Sequence, residues 1–174
     1  MSNPNINIQL IDYINENFNG DTKINALNFV HHLISHGMTV SLGEATDGDG
    51  MNDCRFFYNG KKVCDMYFGS STHNPGYPEP YTIWTTSDTD FSKPIENVPF
   101  NDRMKEIAWA NVHACDPSCK NTETWCKGSK VFEIFGRVFK NLCVPIYFTC
   151  DPDAETIECA KKLIEMRKFQ IDNT

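Results

Sequence analysis

The stretch that decides the fold is Cys54-Arg-Phe-Phe-Tyr-Asn-Gly-Lys-Lys-Val-Cys-Asp-Met-Tyr-Phe68. At its centre, Asn59-Gly60 separates two β-forming runs, the strongest short-range signal for a β-hairpin, because a type I′ turn needs positive φ at both central residues. A two-residue turn predicts that Phe57 pairs with Lys62 and Arg55 with Cys64. One face would then carry Phe57, Cys64, Met66 and Phe68, and the other Cys54, Phe56, Tyr58, Val63 and Tyr67. Both faces carry aromatic rings, so the sheet is expected to be covered on both sides or to offer one wall to a ligand.

A second hairpin is predicted further along the chain. Gly136-Arg137 lies between Val131-Phe-Glu-Ile-Phe135 and Val138-Phe139, and residues 142–149 follow as another strand. Pro145 has no N–H to donate, so this last strand is expected to lie at a sheet edge or to be bulged. Shorter strands are predicted at 38–42 and 81–85.

Four helices are predicted from apolar periodicity and from residues that start and stop helices. They cover 4–18, 22–35 and 102 to about 112, with a fourth beginning after Asp151. Asn101 is the expected N-cap of the third helix and Asp151 that of the fourth. The second helix is expected to bury Ile24, Leu27, Phe29, Val30, Leu33 and Ile34, and to expose Asn25, Asn28, His32, Ser35 and His36.

Together these elements predict an α+β fold. Its antiparallel sheet would be built from two β-hairpins and flanked by helices, with a cysteine-rich metal-binding loop between the halves. At 174 residues the chain is near the commonest domain size, so a single domain over 1–174 is expected, or two joined halves, 1–100 and 101–174.

Charge and hydropathy exclude two classes of partner. The chain has 16 basic and 23 acidic residues, and its net charge of −7 would repel a phosphate backbone, so no nucleic acid is expected. The first thirty residues contain no basic region followed by an apolar one, and no stretch approaches the roughly 20 apolar residues of a membrane span. A cytoplasmic protein that does not enter membranes is expected.

The clearest candidate for chemistry is a cluster of cysteines. Eight cysteines in a reducing compartment are not a disulfide framework, and Cys115, Cys119 and Cys126 lie in a polar loop where packing gives no reason for them. Zinc prefers four thiolates or imidazoles, so these three predict a structural zinc site completed by Cys143 or, alternatively, by His113. An iron–sulfur cluster and a group of free thiols are the competing interpretations.

Two further groups of residues are candidate sites. His32 and His36 are one helical turn apart and could share a metal, but their place on a polar face favours solvated surface histidines. A pocket lined by rings would use Tyr77, Tyr81, Trp84, Trp109 and Trp125 as ligand-binding residues.

No catalytic signature stands out in the chain. Cys115 and Cys119 follow a helix, whose dipole opposes a thiolate, and this argues against a redox thiol there. The first hypothesis is therefore a non-enzymatic, zinc-stabilised domain that binds a small molecule or a protein partner. The alternative is a metal- or cysteine-dependent enzyme or a thiol redox protein.

Overall fold

The computed structural model describes residues 4–42, 53–69, 80–85, 98–114 and 130–174. Over these ranges the chain is α+β, as predicted. In chain order its elements are α1 (Pro4–Asn17), α2 (Gly20–Ser35), β1 (Thr39–Leu42), β2 (Asp53–Tyr58), β3 (Lys61–Phe68), β4 (Tyr81–Thr85), α3 (Asp102–Ala110), β5 (Val112–Ala114), β6 (Lys130–Ile134), β7 (Arg137–Cys150) and α4 (Ala154–Asp172).

The strands form an antiparallel sheet with the order β1-β2-β3-β4-β7-β5, and β6 also pairs with β7. Both predicted hairpins, β2–β3 and β6–β7, are confirmed. The strand predicted at 142–149 is the second part of β7, which continues without interruption from the second hairpin. β5 was not predicted.

The register of the first hairpin differs from the prediction. Phe57 pairs with Lys62 as expected, but Phe56 pairs with Cys64, so Val63 is an extra residue on β3. Such a β-bulge shifts all later pairs by one residue. The predicted pairing of Arg55 with Cys64 is therefore wrong. The physical gain is that the side chains of Phe56 and Cys64 now share one face, where both are fully buried.

The buried face of the sheet packs against the helices. Tyr13 and Phe18 at the end of α1 contact Phe68 of β3, with ring centroids 5.1 Å and 5.9 Å apart, and Phe18 also stacks on Tyr81 at 5.7 Å. α4 contacts β3 and β4, while α2 lies against both α1 and α4. The helices thus form a second layer over the sheet.

Two helix expectations needed correction. The N-cap of α4 is Asp153, whose carboxylate accepts a hydrogen bond from the Thr156 backbone N–H at 2.8 Å. The predicted cap, Asp151, instead donates its N–H to the Tyr81 carbonyl at 2.9 Å and so continues the sheet. Asn101 caps α3 as predicted.

The second correction concerns the orientation of α2. Ile24 is 62% exposed, whereas Asn25 is buried. The Asn25 side-chain amide donates to the Pro152 carbonyl at 3.0 Å, so its burial does not leave that amide nitrogen without a partner. α4 therefore covers part of the helix face that was expected to be solvated.

Both ends of the cysteine-bearing segment meet the same residue. Ala114, the last residue of β5, and Lys130, the first of β6, both pair with Leu142 of β7. Pro145 was predicted to lie at a sheet edge or a bulge, and it falls in the span of β7 between Leu142 and Tyr147 where the register with β5 shifts. None of the helices in the described ranges is both long and apolar enough to cross a lipid bilayer.

Candidate metal centre

Three potential metal ligands meet between α2 and α4. Within the part of the chain that the structure describes, His32 and His36 of α2 and Glu165 of α4 form one group whose ligand atoms all lie within 4.8 Å of one another. Two imidazoles and a carboxylate are a donor set that zinc and other late first-row ions accept, and such a three-ligand set leaves at least one coordination position open.

The end of α2 fixes the two histidines. They lie one helical turn apart, and their rings pack with centroids 4.0 Å apart and planes inclined by 33°. The helix stops at Gly37, whose φ of +79° suits glycine. The Gly37 N–H donates to the Ile34 carbonyl and the Met38 N–H to the Leu33 carbonyl, the paired bonds of a Schellman motif. His36 is thereby held at the C-cap.

The tautomer of His36 follows from its hydrogen bond. Its Nδ1 lies 2.8 Å from the backbone carbonyl oxygen of His32. A carbonyl oxygen only accepts, so Nδ1 carries a proton, and in the neutral ring Nε2 is the nitrogen that offers a lone pair. Metal-binding histidines are commonly oriented in this way, with one nitrogen donating to a carbonyl and the other facing the ion.

The imidazole of His32 is more deeply placed. Its side chain is 13% exposed, and its Nε2 lies 3.8 Å from Oε1 of Glu165, beyond hydrogen-bond distance. This nitrogen is buried and has no hydrogen-bond partner among the described residues. Burial, reinforced by the charges of His36 and Lys161, lowers the pKa of His32 to about 4, although Glu165 and Glu158 oppose the shift. At neutral pH the ring is therefore uncharged, as a metal ligand must be.

Lys162 of α4 contacts the carboxylate of Glu165. Nζ of Lys162 lies 2.6 Å from Oε2 of Glu165, which leaves Oε1 toward His32. Lys161 is turned away, with Nζ bound to Asn28 and to Glu158 at 2.8 Å and 2.6 Å. Lys162 thus orients the carboxylate that would complete the metal centre.

The backbone of α2 also favours a cation at this point. His32 lies in the last turn and His36 at the C-cap, where the helix dipole places roughly half a negative charge. The carbonyl oxygen of His36 is already used in this way, since it accepts a hydrogen bond from Nζ of Lys168 at 3.1 Å.

The structure describes only two of the predicted zinc ligands. Cys115, Cys119 and Cys126 lie outside the described residues. Cys143 lies on β7 and His113 on β5, one strand away. The residues on either side of the predicted metal loop, Ala114 and Lys130, both pair with Leu142. Leu142 directly precedes Cys143, so both ends of the loop lie beside that cysteine in the sheet.

The aromatic residues predicted to bind a ligand are dispersed. Tyr77 and Trp125 lie outside the described residues. Tyr81 is fully buried on the helix-covered face of the sheet, whereas Trp84 is on the opposite face, with its ring 4.9 Å from that of Tyr67. Trp109 of α3 donates its indole N–H to the Ile134 carbonyl at 2.8 Å. The structure therefore does not bring Tyr81 and Trp84 onto one face.

The expectation that His32 is a solvated surface residue is wrong, because α4 covers it. The four-residue spacing of His32 and His36 was the signal that pointed to this site. Glu165, however, lies far along the chain, and no local pattern connects it to α2. Comparisons with protein-family models, curated proteins and solved structures yield no significant match to this chain.

Proposed function

We propose that the protein is a metal-binding domain in which a divalent ion such as zinc, held by His32, His36 and Glu165, joins α2 to α4. The observation that carries the proposal is the convergence of three ligand atoms within 4.8 Å. The His36 Nδ1 bond and the unpartnered Nε2 of His32 support it. Magnesium and calcium prefer oxygen ligands, so the two imidazoles favour zinc, copper, nickel or iron.

The open coordination position connects this site to a ligand-binding role. Three protein ligands leave room for water or a small molecule on a tetrahedral ion. The domain would then bind a small-molecule partner through its metal, as the first sequence hypothesis proposed in more general form. The same open position is what a metal-dependent enzyme requires, and such an enzyme is the alternative form of the proposal.

Direct titration tests the assignment. Tag-free protein is stripped with EDTA, dialysed into non-coordinating buffer and titrated with Zn²⁺ by calorimetry. We expect at least about tenfold weaker binding for His36→Ala and for Glu165→Gln. Two matched controls should bind like the parent: His31→Ala removes an exposed histidine of α2, and Glu155→Gln removes an exposed carboxylate of α4. Equal binding by the parent, His36→Ala and Glu165→Gln would refute the site.

A second metal site is proposed at the cysteines. Cys115, Cys119, Cys126 and Cys143 would hold a structural zinc, with His113 as the alternative fourth ligand. The observation that favours it is that Ala114 and Lys130, at the two ends of the loop, both pair with Leu142, beside Cys143. The cytoplasmic location expected from the sequence would keep these thiols reduced.

A further inference from the structure

The charges around the proposed metal centre leave a bound ion uncompensated. Among the described residues, Lys162 donates to Glu165, Lys168 to the His36 carbonyl and Lys161 to Glu158, so three ammonium groups stand against two carboxylates. The helix end adds only about half a negative charge. With a divalent ion these charges would sum to about +2.5 in a partly buried site, where an unbalanced charge is costly.

An anion from solvent is the simplest way to balance that charge. Two neutral imidazoles and one carboxylate bring a single formal negative charge to a divalent ion and leave a tetrahedral position free. A small oxyanion at that position would satisfy the coordination number and reduce the charge in one step. A neutral water molecule would fill the position without reducing the charge, unless it lost a proton to become hydroxide.

Lys162 is the ammonium group best placed to receive the anion. Its side chain is 31% exposed and has the Glu165 carboxylate as its partner. Lys161 is nearly buried, with two partners, and Lys168 lies over the Tyr58 ring at 4.7 Å while donating to the His36 carbonyl. When Glu165 binds a metal ion, its carboxylate neutralises the charge of Lys162 less completely. Lys162 is then the ammonium group that an anion would stabilise most.

We propose, on the basis of the proposed function, that the ion held by His32, His36 and Glu165 binds a small carboxylate or other oxyanion at its open position, with Lys162 as the second contact for that anion. The ligand class of the protein is then a small anionic molecule. Metal and anion bind cooperatively, and each raises the affinity for the other by the same factor.

Cobalt(II) provides the test, because its visible spectrum reports on coordination. The stripped full-length protein is loaded with Co²⁺ and titrated with acetate in a non-coordinating buffer. We expect a saturable spectral change, and a Co²⁺ affinity that rises about fivefold or more at saturating acetate. Lys162→Gln should weaken acetate binding, and Lys162→Arg should retain it. Lys105→Gln, which removes a lysine from a similar i,i+3 ion pair with Asp102 on α3, should have no effect.

Each failure has a distinct meaning. If Co²⁺ binding depends on His36 but acetate changes neither the spectrum nor the affinity, the anion inference is overturned and the metal site stands. If acetate binds equally to the parent and to Lys162→Gln, the assigned contact is overturned. If Co²⁺ binds to His36→Ala as it does to the parent, or binds to neither, the proposed function itself fails.

Discussion

His36 donates a hydrogen bond from Nδ1 to the backbone carbonyl oxygen of His32, one helical turn earlier, at 2.8 Å. This bond ties the orientation of one imidazole to the backbone beside the other. In the neutral ring, Nε2 is then the nitrogen with the free lone pair. The two rings are thus arranged before any ion binds, which reduces the ordering cost of coordination.

Metal should stabilise the fold through these two residues. A ligand that binds only the folded state at 100 times its Kd raises the free energy of unfolding by about 2.7 kcal/mol. We expect Zn²⁺ at that excess to give a gain of this size in the parent and in His31→Ala, and a gain smaller by about this amount in His36→Ala. Urea unfolding with and without Zn²⁺ measures it. An equal gain in His36→Ala would place the bound ion elsewhere.

The stability of the metal-free protein should depend on pH through His32. Burial lowers its pKa in the folded state to about 4 from an ordinary value of 6.5. Between these values the unfolded chain binds more protons, so stability should fall as pH falls from about 6.5 toward 4 and then level off. The loss from this residue is on the order of 3 kcal/mol at most.

Urea unfolding of the parent and of His32→Gln at several pH values in EDTA isolates this contribution. The variant should have a shallower decline between pH 6.5 and 4, since other titrating groups are common to both proteins. Parallel curves would mean that His32 titrates normally in the folded protein.

The first hairpin should depend on Gly60 for its turn. Asn59 and Gly60 have φ of +48° and +76°, as a type I′ turn requires. A Cβ on Gly60 would meet nothing within 4 Å, so a substitution there acts through the backbone alone. Gly60→Ala should cost about 1 kcal/mol of unfolding free energy, whereas Asn59→Gly should be nearly neutral. Thermal unfolding of the two variants compares them.

Two neighbouring aspartates at the start of α4 should contribute differently to the free energy of unfolding. Asp153→Ala should cost about 1 kcal/mol, because it removes the acceptor for the Thr156 N–H. Asp151→Asn should cost less, since asparagine tolerates positive φ and keeps an oxygen for the Thr22 hydroxyl. Chemical denaturation measures both, and an unchanged stability of Asp153→Ala would contradict its role as the cap.

The cysteine site makes a separate prediction about zinc content. Cys143→Ala should lower the zinc that remains with the protein after purification without an affinity-metal resin, measured by elemental analysis. Cys159→Ala should leave zinc unchanged, because that thiol is buried in α4 and donates to the Met104 carbonyl at 3.4 Å. Zinc content that is the same in both variants and in the parent would count against Cys143 as a ligand.

The sequence by itself determined the features that depend on near neighbours. The Asn59-Gly60 turn, the Asn101 cap and the stop at Gly37 follow from local φ preferences and local hydrogen bonds. The α+β class and both hairpins follow from apolar spacing. The one-turn separation of His32 and His36 was visible too, because helix geometry relates residues four apart.

Only the tertiary structure decided which faces are covered and which distant groups meet. The bulge at Val63 places Phe56 and Cys64 together in the core, a gain in apolar burial that the turn sequence does not encode. In the same way, α4 covers His32 and brings Glu165 to it across the α2–α4 interface. The packing of distant segments depends on how all the core side chains fit together, so no single stretch of sequence specifies it.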